Sequence, residues 1–369
     1  MRIGIPKEIK IKEGRVAITP SVVSSLIAFG HSVFIEKDAG IGAGISNEEF
    51  MISGASILNS AADVWTEAEM IIKVKEPLES EFSLMREGQI LFTYLHLAAN
   101  ENLTKKLLER KVVGIAYETV QLDDGSLPLL APMSEVAGRL SIQMGCYCLE
   151  AKNGGKGMLL SGVPGVPPAK VVIIGGGISG INAAHMAIGM GAQVTVLDVH
   201  INRLRYIEDI FHSRIVTLVS NNANIEESVT GADLVIGSVL IPGAKAPKLM
   251  TRNLLKRMKP GSALVDICID QGGCAETSSP TTHDNPIFIE ENIVHYCVAN
   301  MPGAVPRTST YALTNATMPY MLELANKGYK RALSENKALG KGLNVYMGTL
   351  TNCRIAEALN MKYKELIIT

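Results

Sequence analysis

The chain has 369 residues, 47% apolar and 19% charged, which is enough apolar material for two domains with substantial cores. Its formal net charge of -1 gives no electrostatic case for nucleic acid or for an anionic membrane surface. There is no run of ~18 or more consecutive apolar residues, and the opening MRIGIPKEIKIKEGRVA mixes charges into its apolar positions. A cytoplasmic protein without a spanning helix or signal peptide is therefore expected. Six cysteines (146, 148, 268, 274, 297 and 353) form neither C-x-x-C nor a Cys/His zinc spacing, so reduced and mostly buried thiols are expected.

In chain order, RIGI at 2–5 and SVFIE at 32–36 read as strands. Between them Val22, Val23, Leu26 and Ile27 have the spacing of an amphipathic helix ended by Gly30. The glycine-rich DAGIGAGIS at 38–46 lacks the lysine and Ser/Thr of a Walker motif and reads as a plain loop before a helix from Asn47. Three further apolar runs, MIIKV at 70–74, QILFTYL at 89–95 and VVGIAY at 112–117, complete an alternation of strands and helices. That alternation predicts a doubly wound, largely parallel sheet. Ligands gather beyond the carboxyl ends of such strands. Lys75 and His96 each stand just after one. Taken singly, the first reads as a solvated charge and the second as a loop histidine; their shared topological address raises both.

A helix over Ser134–Ala151 and a Gly/Pro-rich loop over 154–168 lead into AKVVIIGGGISGINAAHMAIGMGAQVTVLD at 169–198. Here a β-branched strand runs into Gly175, Gly177 and Gly180 in the spacing G-x-G-x-x-G. A helix with small residues on one face follows, then a second strand ending at Asp198. The first glycine allows the turn, the second lets a pyrophosphate approach the backbone, and the third lets helix and strand pack closely. The helix start offers N–H groups and partial positive charge to the phosphates. Asp198 is placed for a ribose 2′-hydroxyl and against a 2′-phosphate, which favours NAD, although Arg203 lies only five residues on. A βαβ unit that binds nothing, or S-adenosylmethionine, is the weaker reading of this complete context.

Beyond Asp198, strands are expected at Ile215–Val219, Leu234–Leu240, Ala263–Ile269 and Ile293–Val298. Their ends carry Ser220, the loop IPGAKAP, Asp270-Gln271-Gly272-Gly273 and Ala299-Asn300-Met301. From Ser309 the chain reads as helical. No short-period repeat is present, only two α/β halves of similar build.

Long motifs then become specific. IGIPKEIKIKEGRVAITP, IIKVKEP at 71–77, TYLHLAA at 93–99, APMSEVAGRLS at 131–141, IIGGGISG at 173–180, DICIDQGG at 266–273 and VANMPGAVPRTSTYALTNAT at 298–317 resemble the alanine dehydrogenase family over nearly the whole chain. The resemblance implies an α/β fold of two doubly wound Rossmann-like domains with a cleft between them. The NAD-binding domain (131–305) would be inserted into a substrate domain (1–130 and 306–369), in a homohexamer. It implies Arg15 and Lys75 as substrate-binding cations and His96 and Asp270 as the catalytic pair. Ser134, Ile178, Ser179, Asp198, Arg203, Ser220, Val239, Leu240, Ile267, Asp270, Val298, Ala299, Asn300 and Met301 would join the three glycines as cofactor contacts. Two departures stand out. Ser279 occupies a place where some members carry Arg, and Lys327 stands four residues after Glu323 where some carry a histidine that helps bind a divalent ion. No metal is expected there, and closure of the loop near Ser279 is less assured.

The residue types suit reversible, NAD-dependent oxidative deamination of L-alanine to pyruvate and ammonia, through an imine and a carbinolamine. Arg15 would hold a carboxylate in a two-pronged geometry, and Lys75 would polarise a carbonyl oxygen or steady the same carboxylate. His96, with an ordinary pKa near ~6.5, suits general acid–base work. Asp270 would stabilise an iminium or carry the amine proton; which of the two handles which proton stays open. The alternatives are a transhydrogenase α-subunit-like NAD(H)-binding protein, a dehydrogenase for another small amino acid or for saccharopine, and an NAD sensor. Having Arg15, Lys75, His96 and Asp270 together argues against a sensor.

Overall fold

Two sheets absorb the β-branched runs. In the computed structural model, which describes residues 1–239 and 246–366, the chain divides into two units: Met1–Met133 with Val305–Thr369, and Ser134–Ala304. In chain order the strands are β1 (Arg2–Ile5), β2 (Ser32–Glu36), β3 (Ser56–Leu58), β4 (Met70–Ile72), β5 (Ile90–Thr93) and β6 (Val113–Ala116) in the first unit. The second unit contributes β7 (Lys170–Ile174), β8 (Gln193–Asp198), β9 (Val216–Val219), β10 (Leu234–Gly237), β11 (Ala263–Asp266), β12 (Ile287–Glu290) and β13 (Ile293–Tyr296). The chain then returns to the first sheet with β14 (Leu343–Tyr346) and β15 (Thr349–Leu350).

The two sheets share one plan. The first runs β3-β2-β1-β4-β5-β6 with β14 and β15 added antiparallel at one edge; the second runs β9-β8-β7-β10-β11-β13 with β12 added antiparallel. All other pairings are parallel, so in each unit the strand order reverses next to the first strand, between β1 and β4 or between β7 and β10. A ligand crevice is expected at those reversals, beyond the carboxyl ends.

Each sheet is covered by helices whose apolar faces bury completely. In the first unit Val64, Trp65, Leu103 and Leu107 pack on Ile71, Leu91 and Val345; in the second Ile225, Val229, Leu254 and Leu255 pack on Val172, Val235 and Leu264. Each such side chain contributes about 1.5–3 kcal/mol by leaving water. The predicted strands are real but shorter. The run 263–269 leaves the sheet after Asp266 into a tight turn over Ile267–Gln271, and the run from Leu234 ends at Gly237. The loop 38–46 contains a short turn at Ile41–Ala43, and Arg307 donates to the carbonyls of Ala43 and Gly44 at 3.3 and 3.2 Å. Cys148, Cys268, Cys274 and Cys297 are buried thiols, Cys146 is half-buried and Cys353 exposed. Among the described residues no helix is long and apolar enough to cross a membrane.

Candidate active site

In the first unit the site builds up around the ends of β4, β5 and β6. Arg15 lies in the loop after β1 and is 2% exposed. Glu13 takes its Nε–Nη2 edge, with Nε donating to Oε1 at 2.6 Å and Nη2 to Oε2 at 2.5 Å, while Nη1 lies 3.0 Å from Met133 Sδ. A two-pronged grip on a substrate carboxylate along that edge is therefore corrected: Glu13 already holds it.

Lys75 follows β4. Burial first, then the Arg15 and Lys10 cations, lower its pKa below 10.5, so it lies in the electrostatic field of Arg15. Its backbone is fixed from below. Glu8 accepts the N–H of Val74 at 2.6 Å and of Lys75 at 3.2 Å, and the Lys75 carbonyl accepts Thr93 Oγ1–H at 3.0 Å. Glu8 is in turn paired with the buried Lys73, 3.3 Å away, which reaches Glu81 at 3.0 Å. Removing either charge from such a buried set would strand the other.

His96 stands three residues beyond β5 in the left-handed region, φ 50° and ψ 38°, with its ring exposed. Glu118, two residues after β6, accepts the His96 N–H at 2.6 Å and the Leu95 N–H at 3.2 Å. The Tyr94 ring lies parallel to the imidazole, 5.7 Å between centroids and 6° between planes, and Tyr94 Oη donates to the Leu129 carbonyl at 2.5 Å. Burial raises the Tyr94 phenol well above its ordinary pKa, against the pull of nearby Arg15. Tyr94 thus joins the two predicted groups: it feels Arg15 and stacks on His96. Arg15, Lys75 and His96 are one neighbourhood at one sheet edge.

In the second unit the three glycines of the turn differ in their surroundings. Gly175 has φ 101°, and a Cβ there would lie 2.6 Å from the Ser238 carbonyl oxygen. A Cβ on Gly180 would lie 1.9 Å from the Gly175 carbonyl oxygen, so only glycine lets the helix Ile178–Gly189 lie this close to the end of β7. Gly177, by contrast, has open space where a Cβ would stand, and no side chain caps the helix that follows it. Uncapped helix starts are ready anion sites.

The remaining cofactor candidates line the same edge. Asp198 ends β8 and accepts Gly176 N–H and His200 N–H, each at 2.8 Å; Arg203 Nε donates to the Gly176 carbonyl at 2.5 Å. Ser220 N–H donates to the Asp198 carbonyl at 2.9 Å, and Ser179 Oγ to the Ser134 carbonyl at 3.0 Å. Val239 follows β10 and donates to Cys268 Sγ at 3.0 Å, and Ile267 follows β11. Val298 and the buried Met301 lie beyond β13, between them the exposed Ala299 and the half-buried Asn300, whose φ is 61°. Leu240 and residues 241–245 lie outside the described residues. Asp270 is exposed at the end of the Ile267–Gln271 turn, with Asn300 N–H 3.4 Å from its Oδ2.

Several groups escaped the sequence reading. Asp266 is fully buried and accepts the N–H of Cys268 at 3.0 Å, the N–H of Cys274 at 2.8 Å and Ser278 Oγ–H at 2.6 Å, so it organises the whole loop that carries Asp270. With Cys268 and Cys274 it forms a group of three possible metal ligands, and its two oxygens already accept these three donors. Thr277, hydrogen-bonded to His295 at 2.7 Å, ties down the same loop just before Ser279. Glu118 and Glu13 had no motif of their own; their only signal was a carboxylate at a strand end or two residues from a site cation. Lys327 bridges Glu323 at 2.8 Å and Glu335 at 2.7 Å, while Asn336 donates to Glu323 at 2.7 Å.

Comparison with known proteins fits this two-unit geometry. The family models for the N-terminal and C-terminal domains of alanine dehydrogenase/PNT match residues 4–137 and 141–353. The chain belongs to the alanine dehydrogenase/PNT family. It is 60% identical to an alanine dehydrogenase of Methanococcus maripaludis, over 98% of both chains. It is 57% identical to alanine dehydrogenase 2 of Staphylococcus aureus, over 99% of this chain and 98% of that one. A solved L-alanine dehydrogenase superposes with a TM-score of 0.95 at 52% identity, covering 98% of this chain and 99% of that one. A transhydrogenase from Sinorhizobium meliloti shares the fold, with a TM-score of 0.82 at 23% identity. At these identities to alanine dehydrogenases, this member of the alanine dehydrogenase/PNT family is an amino-acid dehydrogenase.

Proposed function

We propose that the chain catalyses the reversible, NAD-dependent oxidative deamination of L-alanine to pyruvate and ammonia. The observation that carries the cofactor is the cradle at Gly177: open space above an uncapped helix start, with Asp198 at the end of the adjacent strand. Gly175, Gly177, Ile178, Ser179 and Gly180 would receive the pyrophosphate and Asp198 the adenosine ribose. Ser220, Val239, Leu240, Ile267 and Val298 to Met301 would border the rest, with Ser134 behind Ser179. NAD accepts the hydride that leaves Cα; the protein supplies orientation and proton transfer.

Arg15 and Lys75 bind the substrate at its carboxylate and carbonyl oxygen. With Glu13 cancelling one of the two cations, the set keeps a single net positive charge, which matches a monocarboxylate. His96 holds and delivers the proton of the water that adds to the imine, and then of the carbinolamine as it collapses. Asp270 stabilises the iminium or takes the amine proton. Two relatives named alanine dehydrogenase, at 57% and 60% identity, support alanine as the substrate. The enzyme works in the cytoplasm, as a homohexamer, with neither nucleic acid nor membrane as partner and no bound metal at Glu323 and Lys327.

The test is a product balance. L-Alanine and NAD should give NADH, pyruvate and ammonia in equal amounts, with D-alanine inert. NADH formation without ammonia would overturn the deamination, and equal rates with NADP would overturn the role of Asp198.

A further inference from the structure

We infer that Glu118 is the positioning residue for His96: its carboxylate holds the histidine in a backbone conformation the chain would otherwise leave. The inference rests on the reading of His96 as the acid–base group and deepens it.

A non-glycine residue in the left-handed region is uncommon and costs of order 1 kcal/mol or more unless the surroundings fix it. His96 occupies that region at φ 50° three residues after a buried strand, where no further strand receives its N–H. Glu118 supplies the missing acceptor. Its Oε1 takes the His96 N–H at 2.6 Å, and the Leu95 N–H lies 3.2 Å from both of its oxygens. These are charge-assisted bonds, stronger than neutral ones. The carboxylate comes from the end of the neighbouring strand β6, paired in register with β5, so the clamp spans two adjacent strand ends rather than one flexible loop. The parallel Tyr94 ring fixes the imidazole from the other side, and Tyr94 is itself anchored through its hydroxyl to Leu129. Backbone and ring of His96 are thus held by separate neighbours. Without Glu118, two N–H groups would lose their acceptor and the residue could relax to a negative φ, which swings the imidazole away from the direction it now takes.

The full-length enzyme tests this with Glu118→Ala, Glu118→Gln, His96→Ala and the double variant Glu118→Ala/His96→Ala. The readouts are kcat for NADH oxidation with saturating pyruvate and ammonium, KM for pyruvate, and NADH binding by fluorescence. Glu118→Ala should lower kcat by about 10–100-fold with NADH affinity within about twofold of the parent. Glu118→Gln, which keeps an acceptor, should restore most of that loss. His96→Ala should lose at least about 100-fold, and the double variant should be no slower than His96→Ala within about twofold, because Glu118 acts only through the histidine. A loss that multiplies in full on the His96→Ala background, or Glu118→Ala turnover within twofold of the parent, would overturn the inference while leaving His96 in place. Near-normal turnover of His96→Ala would remove the acid–base reading itself, and the positioning role with it.

Discussion

Glu13 holds the Arg15 guanidinium along one edge, with Nε and Nη2 each donating to a separate carboxylate oxygen at 2.6 and 2.5 Å. The pair is buried, so the carboxylate fixes the arginine's orientation and offsets its charge. Glu13→Gln should raise KM for pyruvate by roughly tenfold while leaving KM for NADH within twofold. Glu13→Ala strands a buried cation and should cost about 3–5 kcal/mol in stability as well. Unchanged substrate KM in a folded Glu13→Gln enzyme would detach Glu13 from binding.

Lys75 lies under the opposite strain, a cation that burial and two neighbouring cations disfavour. Its folded pKa is lowered, so between that value and the unfolded one near 10.5 the unfolded chain binds the extra proton and stability rises with pH. Below the folded pKa the penalty is constant and at its largest. Lys75→Met should therefore abolish turnover yet raise Tm at neutral pH by roughly 2 °C. The gain should shrink as pH approaches that of a free lysine. A lower Tm in this variant would show that Lys75 stabilises the fold.

Gly177 and Gly180 should separate binding from folding. Gly177→Ala adds a methyl group into open space, so Tm should stay within about 1 °C while NADH affinity falls at least about tenfold. Gly180→Ala drives a Cβ to 1.9 Å from the Gly175 carbonyl oxygen and should lower Tm by several degrees, about 1–3 kcal/mol of overpacking. Thermal melts with and without NADH distinguish the two; equal behaviour would refute the division of labour in the turn.

Much of this was legible because the signals were local and redundant. The strand from Lys170, the glycine spacing and Asp198 fall within one βαβ unit, where each element constrains the next. The strand ends carrying Lys75 and His96 were visible for the same reason. The edge strands β3, β12, β14 and β15 were not, because two to four residues carry too little periodicity and their pairing is decided across the sheet. Asp266, Glu13 and Glu118 escaped because a buried carboxylate that accepts backbone N–H groups looks, in sequence, like any other acid. The strand reading through Ile269 overran for the same reason: Asp266 turns the chain by accepting the Cys268 N–H.

Asp198, to which the proposed function gives the cofactor preference, also accepts two backbone N–H groups. Asp198→Asn, which keeps an acceptor, should raise KM for NAD by roughly tenfold, leave KM for alanine within twofold, and permit turnover with NADPH. Equal rises in both KM values would mean that the carboxylate matters only for folding of the turn.

The most direct measurement is NADH oxidation by the purified enzyme with pyruvate and ammonium, omitting each in turn. Turnover that requires both, and is lost with NADPH, is the predicted result. NADH that binds but is not oxidised with both substrates present would contradict alanine as the substrate of the Arg15, Lys75 and His96 site.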